Sequence, residues 1–262
     1  MLIDFHCHCF PEKIAETALS RLSFVSGGMI PNTDGTLNGL KNLMTAQGVD
    51  KAVVLNIATN AKQQKNVNDF AAHINGENII SFGSVFPDSE DWSEELDRIK
   101  ELGLKGVKLH PDYQGLSVDD EKMIPIYKKI SKLGLITVFH AGYDYGFPPP
   151  YGATPEKMER ALKHFDSPVI AAHWGGLDCG EGVLKRLCGK DIYFDTSFGF
   201  ANMPKYYAQK IIETHSPDKI LFGTDCPWHT AEMELTLLHT LDLNDGDMEK
   251  ITHLNAERLL GL

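Results

Sequence analysis

Residues 2–8, Leu2-Ile3-Asp4-Phe5-His6-Cys7-His8, decide the fold. An apolar, strand-like run passes directly into two histidines. Side chains of an extended segment alternate between faces, so His6 and His8 project together while Cys7 points away. Three later segments stop on the same kind of residue: LITVFH on His140, PVIAAH on His173 and KILFGTD on Asp225. Each apolar run ends on a metal-ligating side chain where a glycine, proline or tryptophan follows. A barrel of parallel strands gathers the carboxyl ends of its strands on one face, so residues at these positions read as chemistry and not as packing.

Working outward, short β-rich runs alternate with amphipathic helices, the pattern of βα units and a parallel sheet. Eight runs are predicted: Leu2–Cys7, Lys51–Ile57, Ile79–Val85, Gly106–Leu109, Leu135–His140, Val169–His173, Ile192–Asp195 and Ile220–Gly223. Helices are predicted over Leu37–Gln47, Lys62–Asn75, Trp92–Leu102, Asp119–Leu133, Pro155–Phe165, Lys205–Thr214 and Ala231–Leu241, with a last one, Asp247–Leu259, outside the barrel. Eight strands in 262 residues predict one domain, residues 1–262, folded as a distorted (β/α)8 TIM barrel with a metal site at the C-terminal ends of the strands. The competing open, doubly wound sheet normally carries a glycine-rich phosphate turn after its first strand. Here that strand runs into HCHCFPE, and no such turn follows any strand.

Composition narrows the function classes. A net charge of −11 with no cluster of Lys and Arg excludes a nucleic-acid surface. No apolar stretch reaches the roughly 18 residues of a membrane span, and no signal peptide precedes the strand pattern at Leu2, so a soluble cytoplasmic protein is expected. Five scattered cysteines, an odd number in a chain this long, are expected to be reduced. Two long connections, Phe10–Gly39 and Tyr143–Pro155, leave the ligand-bearing end and are candidate substrate walls.

Three imidazoles and a carboxylate suit Zn²⁺ first, then Fe²⁺, Co²⁺ or Mn²⁺. Such an ion activates water and polarises a carbonyl, with an acidic ligand able to shuttle the proton. The ordered set of His6 and His8, His140 in VFHAG, His173 in AAHWGG and Asp225 in FGTDCPW resembles the amidohydrolase superfamily. The closing NAERLLGL is similar to its amidohydrolase-related branch, which holds hydrolases, lactonases and decarboxylases. The resemblance implies one ion on His6, His8, His140 and Asp225, with His173 left to orient water or substrate. It also allows a second ion on His140 and His173, bridged to the first by a glutamate or by a carboxylated Lys108, where dihydroorotase-like members place such a lysine, with His110 on the same face. The single-ion site is the favoured one.

The leading functional expectation is a metal-dependent hydrolase of a small-molecule amide, lactone or ester, with Asp225 as general base and His173 stabilising the oxyanion. The alternative is a non-oxidative decarboxylase of a small carboxylic acid. Among the arginines only Arg21, in the first long connection, is easily brought to the site. A barrel that holds an ion without catalysis is the third reading. Trp174, Trp228, Tyr113, Phe147 and Phe198 neighbour strand ends and are candidate walls for a flat ligand. His110 either touches substrate or orders the HPDYQG turn. A homodimer is allowed on general grounds.

Overall fold

A computed structural model describes residues 1–262. The eight expected strands form, each shorter than its apolar run: β1 Ile3–Cys7, β2 Lys51–Leu55, β3 Ile79–Phe82, β4 Gly106–Leu109, β5 Ile136–Phe139, β6 Val169–Ala171, β7 Tyr193–Asp195 and β8 Ile220–Leu221. All ladders are parallel, in the order β1-β2-β3 and β4-β5-β6-β7-β8. Two narrow seams join these sheets into a ring. Gly83 N–H donates to Gly106 O at 2.9 Å and Lys108 N–H to Gly83 O at 2.8 Å between β3 and β4. Across the other seam Phe5 N–H donates to Phe222 O and Asp225 N–H to His6 O, both at 2.8 Å, between β1 and the β8 end. The chain is a TIM barrel, distorted where these seams replace full ladders.

Ile3, Phe5, Val53, Leu55, Ile80, Phe82, Ile136, Val138, Ile170 and Leu221 form one buried cluster, the filling of the barrel. A larger cluster, including Val107, Leu109, Phe139, Ala171 and Phe194, binds the outer faces of β4 to β7 to the helices. The strands are covered on both sides, which is why they read as continuous apolar runs.

The helices are α1 Glu12–Val25, α2 Leu37–Gln47, α3 Ala61–Ile74, α4 Trp92–Glu101, α5 Pro111–Gln114, α6 Ile124–Leu133, α7 Pro155–Ala161, α8 Gly180–Arg186, α9 Lys205–His215, α10 Ala231–Leu238, α11 Asp245–Glu249 and α12 Asn255–Leu260. Two departures from the sequence reading matter for the site. The first long connection contains α1, a full helix whose buried stripe is only Ala15 and Leu19, too thin to stand out as a period. The last predicted helix runs on from Asp245 to Leu260 through a π-helical stretch at Lys250–Leu254, and Ala256 and Leu260 of α12 pack with the barrel-filling residues instead of lying outside. Lys105, just before β4, donates to Leu260 O, which places α12 at the end of the barrel opposite the histidines. No helix is long and apolar enough to cross a membrane.

Candidate metal centre

Strict alternation along β1 would send Ile3, Phe5 and Cys7 to one face. The pairing with β2 slips between Asp4 and Cys7, and the slip re-aims the strand end. Ile3 and Phe5 fill the barrel, His6 also turns inward, and Cys7 packs with Ala52, Val54 and Cys226 outside it. Asp4 holds the irregularity: its Oδ1 accepts from His6 N–H at 3.1 Å and Thr224 N–H at 3.0 Å, and its Oδ2 accepts from Thr224 Oγ1 at 2.6 Å. One buried carboxylate thereby ties the His6 backbone to the residue before Asp225. Gly223 permits the approach, since a Cβ there would lie 3.0 Å from His6 Cβ.

Hydrogen bonding then assigns the ring protons. Leu55 O accepts at 2.8 Å from His8 Nδ1, so that nitrogen carries the proton. His6 Nδ1 donates to Asp195 Oδ2 at 2.9 Å. Both rings therefore turn a lone pair on Nε2 toward the same atom, Asp225 Oδ1, at 3.2 Å from His6 and 3.0 Å from His8. His173 Nδ1 faces Ser197 O at 3.3 Å and Ser197 Oγ at 2.9 Å, so it donates, and its Nε2 accepts from His140 Nδ1 at 3.1 Å. That leaves His140 Nε2 a lone pair, buried and without a partner. His110 Nε2 meets Asp144 Oδ2 at 3.2 Å, and its Nδ1 is likewise buried and unpartnered. Lone pairs facing one another repel unless a cation lies among them. The donor set fits a divalent ion.

Five rings run around the mouth: His8 to His6 at 5.1 Å between centroids, His6 to His173 at 5.1 Å, His173 to His140 at 4.8 Å, and His140 stacked on His110 at 4.1 Å. Ligand atoms gather in three groups, His6 with His8 and Asp225, His6 with His173 and Asp195, and His110 with His140 and Asp144. His140 therefore adjoins the first group by way of His173. Lys108, fully buried, places Nζ 3.3 Å from His6 Nε2.

Burial sets the charge states. It pushes His173 down to about 4 and holds His6, His110 and His140 below the ordinary imidazole range, in each of the last three with help from the Lys108 charge. Burial also lowers Lys108 to about 8 against the pull of Asp195 and Asp225. Asp195 and Asp225 stay well below the usual carboxylate range: burial would raise them, and the His6 and His173 contacts, with His8 for Asp225, outweigh it. His173 and Asp225 sit in the left-handed backbone region at φ 59° and 66°, as do Trp174 at 58° and Phe198 at 57°. Side-chain-bearing residues adopt it at a cost, and such strain concentrates at functional sites.

The sequence profile of the family described as Amidohydrolase matches residues 3–262. The chain belongs to the amidohydrolase family. No curated protein matches it. Its barrel is similar to that of an uncharacterised TIM-barrel protein from Bordetella bronchiseptica, at 22% identity over 99% of this chain and 98% of that one, TM-score 0.76. It is also similar to 5-carboxyvanillate decarboxylase from Sphingomonas paucimobilis, at 16% identity over 100% and 99%, TM-score 0.73. A third is dihydroxybenzoic acid decarboxylase from Polaromonas sp. JS666 with bound manganese and the inhibitor 2-nitroresorcinol, at 16% over 100% and 97%, TM-score 0.73.

In this amidohydrolase the histidines and Asp225 open into a cavity of about 1120 Å³. Tyr113, Phe147, Phe198 and Trp228 line it, and both long connections contribute, α1 through Ile14, Thr17 and Arg21 and the β5 loop through Asp144 to Phe147. Trp174 does not. The left-handed turn at His173 and Trp174 sends the indole into the outer core, where it is 1% exposed. Asp195, Ser197 and Asp144 carry the hydrogen bonds above and were not singled out from the sequence. Asp195 had a signal, since it ends the YFD strand as Asp225 follows the FGT one.

Proposed function

We propose that this protein is a metal-dependent carboxy-lyase that removes CO₂ from a small, flat, unsaturated or aromatic carboxylic acid. One observation carries the choice over hydrolysis: the cavity presents two cations free of any ion pair, Lys108 buried beside His6 and Arg21 exposed on α1. They suit an acid, whereas a neutral amide or ester calls for neither. The low-identity neighbours named as decarboxylases support the reading.

His6, His8 and Asp225, with His140 beyond His173, would hold the ion, one per chain, from the group Zn²⁺, Mn²⁺, Fe²⁺ or Co²⁺. When bound, it supplies positive charge that stabilises negative charge developing on the substrate. Arg21 draws in the carboxylate. Aromatic side chains fix the plane of the acid and exclude water, which favours leaving as CO₂ over solvation of the carboxylate. The C–C bond breaks with its electron pair kept on carbon and spread into the conjugated system. Lys108 holds a proton at Nζ at the buried end of the cavity, where that carbon must take one up. His173, neutral at physiological pH, positions substrate through its ring and carries no charge.

Hydrolysis is the second reading. Asp225 is ionised and 15% exposed toward the cavity, so it can accept a proton from an attacking water. Incubation of the metal-loaded protein with aromatic and enoic acids, and separately with their amides, esters and lactones, in H₂¹⁸O separates the two. The lyase releases CO₂ equal to the acid consumed with no ¹⁸O in the organic product. Label in the product without CO₂ release would establish the hydrolase and overturn the proposal.

A further inference from the structure

Glu234, on the first turn of α10, lies outside the histidine cluster and is fully buried at 0% exposure. Its Oε2 accepts two successive backbone N–H groups, Gly199 at 3.1 Å and Phe200 at 3.0 Å, and its Oε1 accepts from His229 Nδ1 at 2.5 Å. The His229 ring lies flat on Phe198, with centroids 4.4 Å apart and planes 14° from parallel. Phe198 lines the cavity, with its ring 6.3 Å from that of His173 and nearly perpendicular to it. Phe198 also adopts a left-handed backbone, which a residue with a Cβ avoids unless its surroundings impose it. Burial pushes Glu234 up to about 7, opposed by the His229 hydrogen bond, so the carboxyl is expensive at this depth.

We propose that Glu234 is a positioning residue that fixes Phe198, through His229 and the Gly199–Phe200 backbone, as a rigid wall beside His173, and that this wall selects flat over puckered acids. The inference deepens the carboxylic-acid reading and rests on it for the ligand class. The positioning itself does not depend on that reading. A rigid ring next to the reacting end rewards a coplanar ligand by stacking and rejects a cyclohexane-like one by contact.

The test uses metal-loaded protein labelled with 4-fluorophenylalanine, the Phe198 fluorine signal being assigned by its loss in Phe198→Leu. Binding of benzoate and cyclohexanecarboxylate is measured by calorimetry on the same samples. In Glu234→Ala the Phe198 signal should move toward the free amino-acid position and the preference for benzoate should fall about tenfold, with metal content unchanged. Glu234→Gln keeps the acceptor for both N–H groups and should restore both readouts. An unmoved signal in Glu234→Ala overturns the positioning role. A moved signal with the preference intact, or equal weakening of both acids, overturns the selectivity role. Wild-type protein that binds neither acid overturns the flat-acid class together with the lyase reading, and the fluorine signal then decides the positioning alone.

Discussion

The Nδ1 of His6 donates to Oδ2 of Asp195 across 2.9 Å, and this contact decides which nitrogen His6 turns to the cavity. Carboxylates behind ligating histidines raise ligand basicity and hold the ring. Asp195→Asn is therefore expected to weaken divalent-ion affinity by about 10- to 100-fold while the barrel stays folded. Competition against a chelator measures it. Unchanged affinity would remove Asp195 from the site.

Arg21 and Lys108 should fail in different ways. Arg21 is exposed on α1 and, on the lyase reading, meets only the carboxylate, whose charge fades as CO₂ forms, so Arg21→Ala should raise KM about tenfold, the value of a charged hydrogen bond made in the ground state, without lowering kcat. Lys108→Met should lower kcat by more than it changes KM. A steady-state comparison on one acid decides both, and equal losses in kcat from the two variants would contradict the division of labour.

Acid stability has an identifiable contributor away from the metal centre. His215 donates from Nε2 to Ile192 O at 2.9 Å, accepts Gly189 N–H at 3.2 Å and stacks on Phe194 at 4.0 Å, so it is satisfied only when neutral. Burial lowers it to about 4 from 6.5. A folded pKa below the unfolded one contributes stability that is present above 6.5 and is lost as the pH falls toward 4. The upper bound is on the order of 3 kcal/mol. Urea melts of wild type should show this loss, and those of His215→Leu, weaker at pH 7, should show less of it over the same range. Parallel curves would exclude His215 as the source.

Gly142 is where the β5 loop passes the His173 turn. A Cβ there would lie 2.0 Å from Leu177 N and 2.4 Å from its O, at φ 89°. Gly142→Ala must break the pairing of Tyr143 N–H with Leu177 O and Leu177 N–H with Ala141 O. It should cost about 2–4 kcal/mol, or roughly 5–10 °C in Tm, which a thermal melt reads directly. A melt within 1 °C of wild type, on the order of the measurement's own scatter, would mean that the loop yields freely.

The barrel was legible because strands covered on both sides leave continuous apolar runs, and the ligands because they punctuate those runs. His6 and His8 do reach one oxygen together, yet by an irregularity in β1 that no alternation rule contains: regular pleating from Ile3 and Phe5 would have turned Cys7 inward. Trp174 shows the converse. Its neighbour's position predicts a cavity wall, but a left-handed backbone at both residues reverses the side chain, and nothing in AAHWGG announces that a non-glycine will take that conformation. Helix α1 escaped notice because two buried residues make almost no stripe, although it delivers Arg21 to the cavity. Glu234 is invisible in sequence for a different reason. An acid at the start of a helix is ordinarily a solvated cap, and only the tertiary fold shows that this one is buried.

The whole account turns on a cation among His6, His8 and Asp225. Elemental analysis of protein purified without added metal, with His8→Ala and Lys108→Ala beside wild type, tests it most directly. About one equivalent of a divalent ion per chain in wild type and Lys108→Ala, lost in His8→Ala, is the predicted result, with about one following from the single-site geometry. A metal-free wild type that takes up none on titration would contradict the account, and near two equivalents falling in Lys108→Ala would replace the single ion by a lysine-bridged pair.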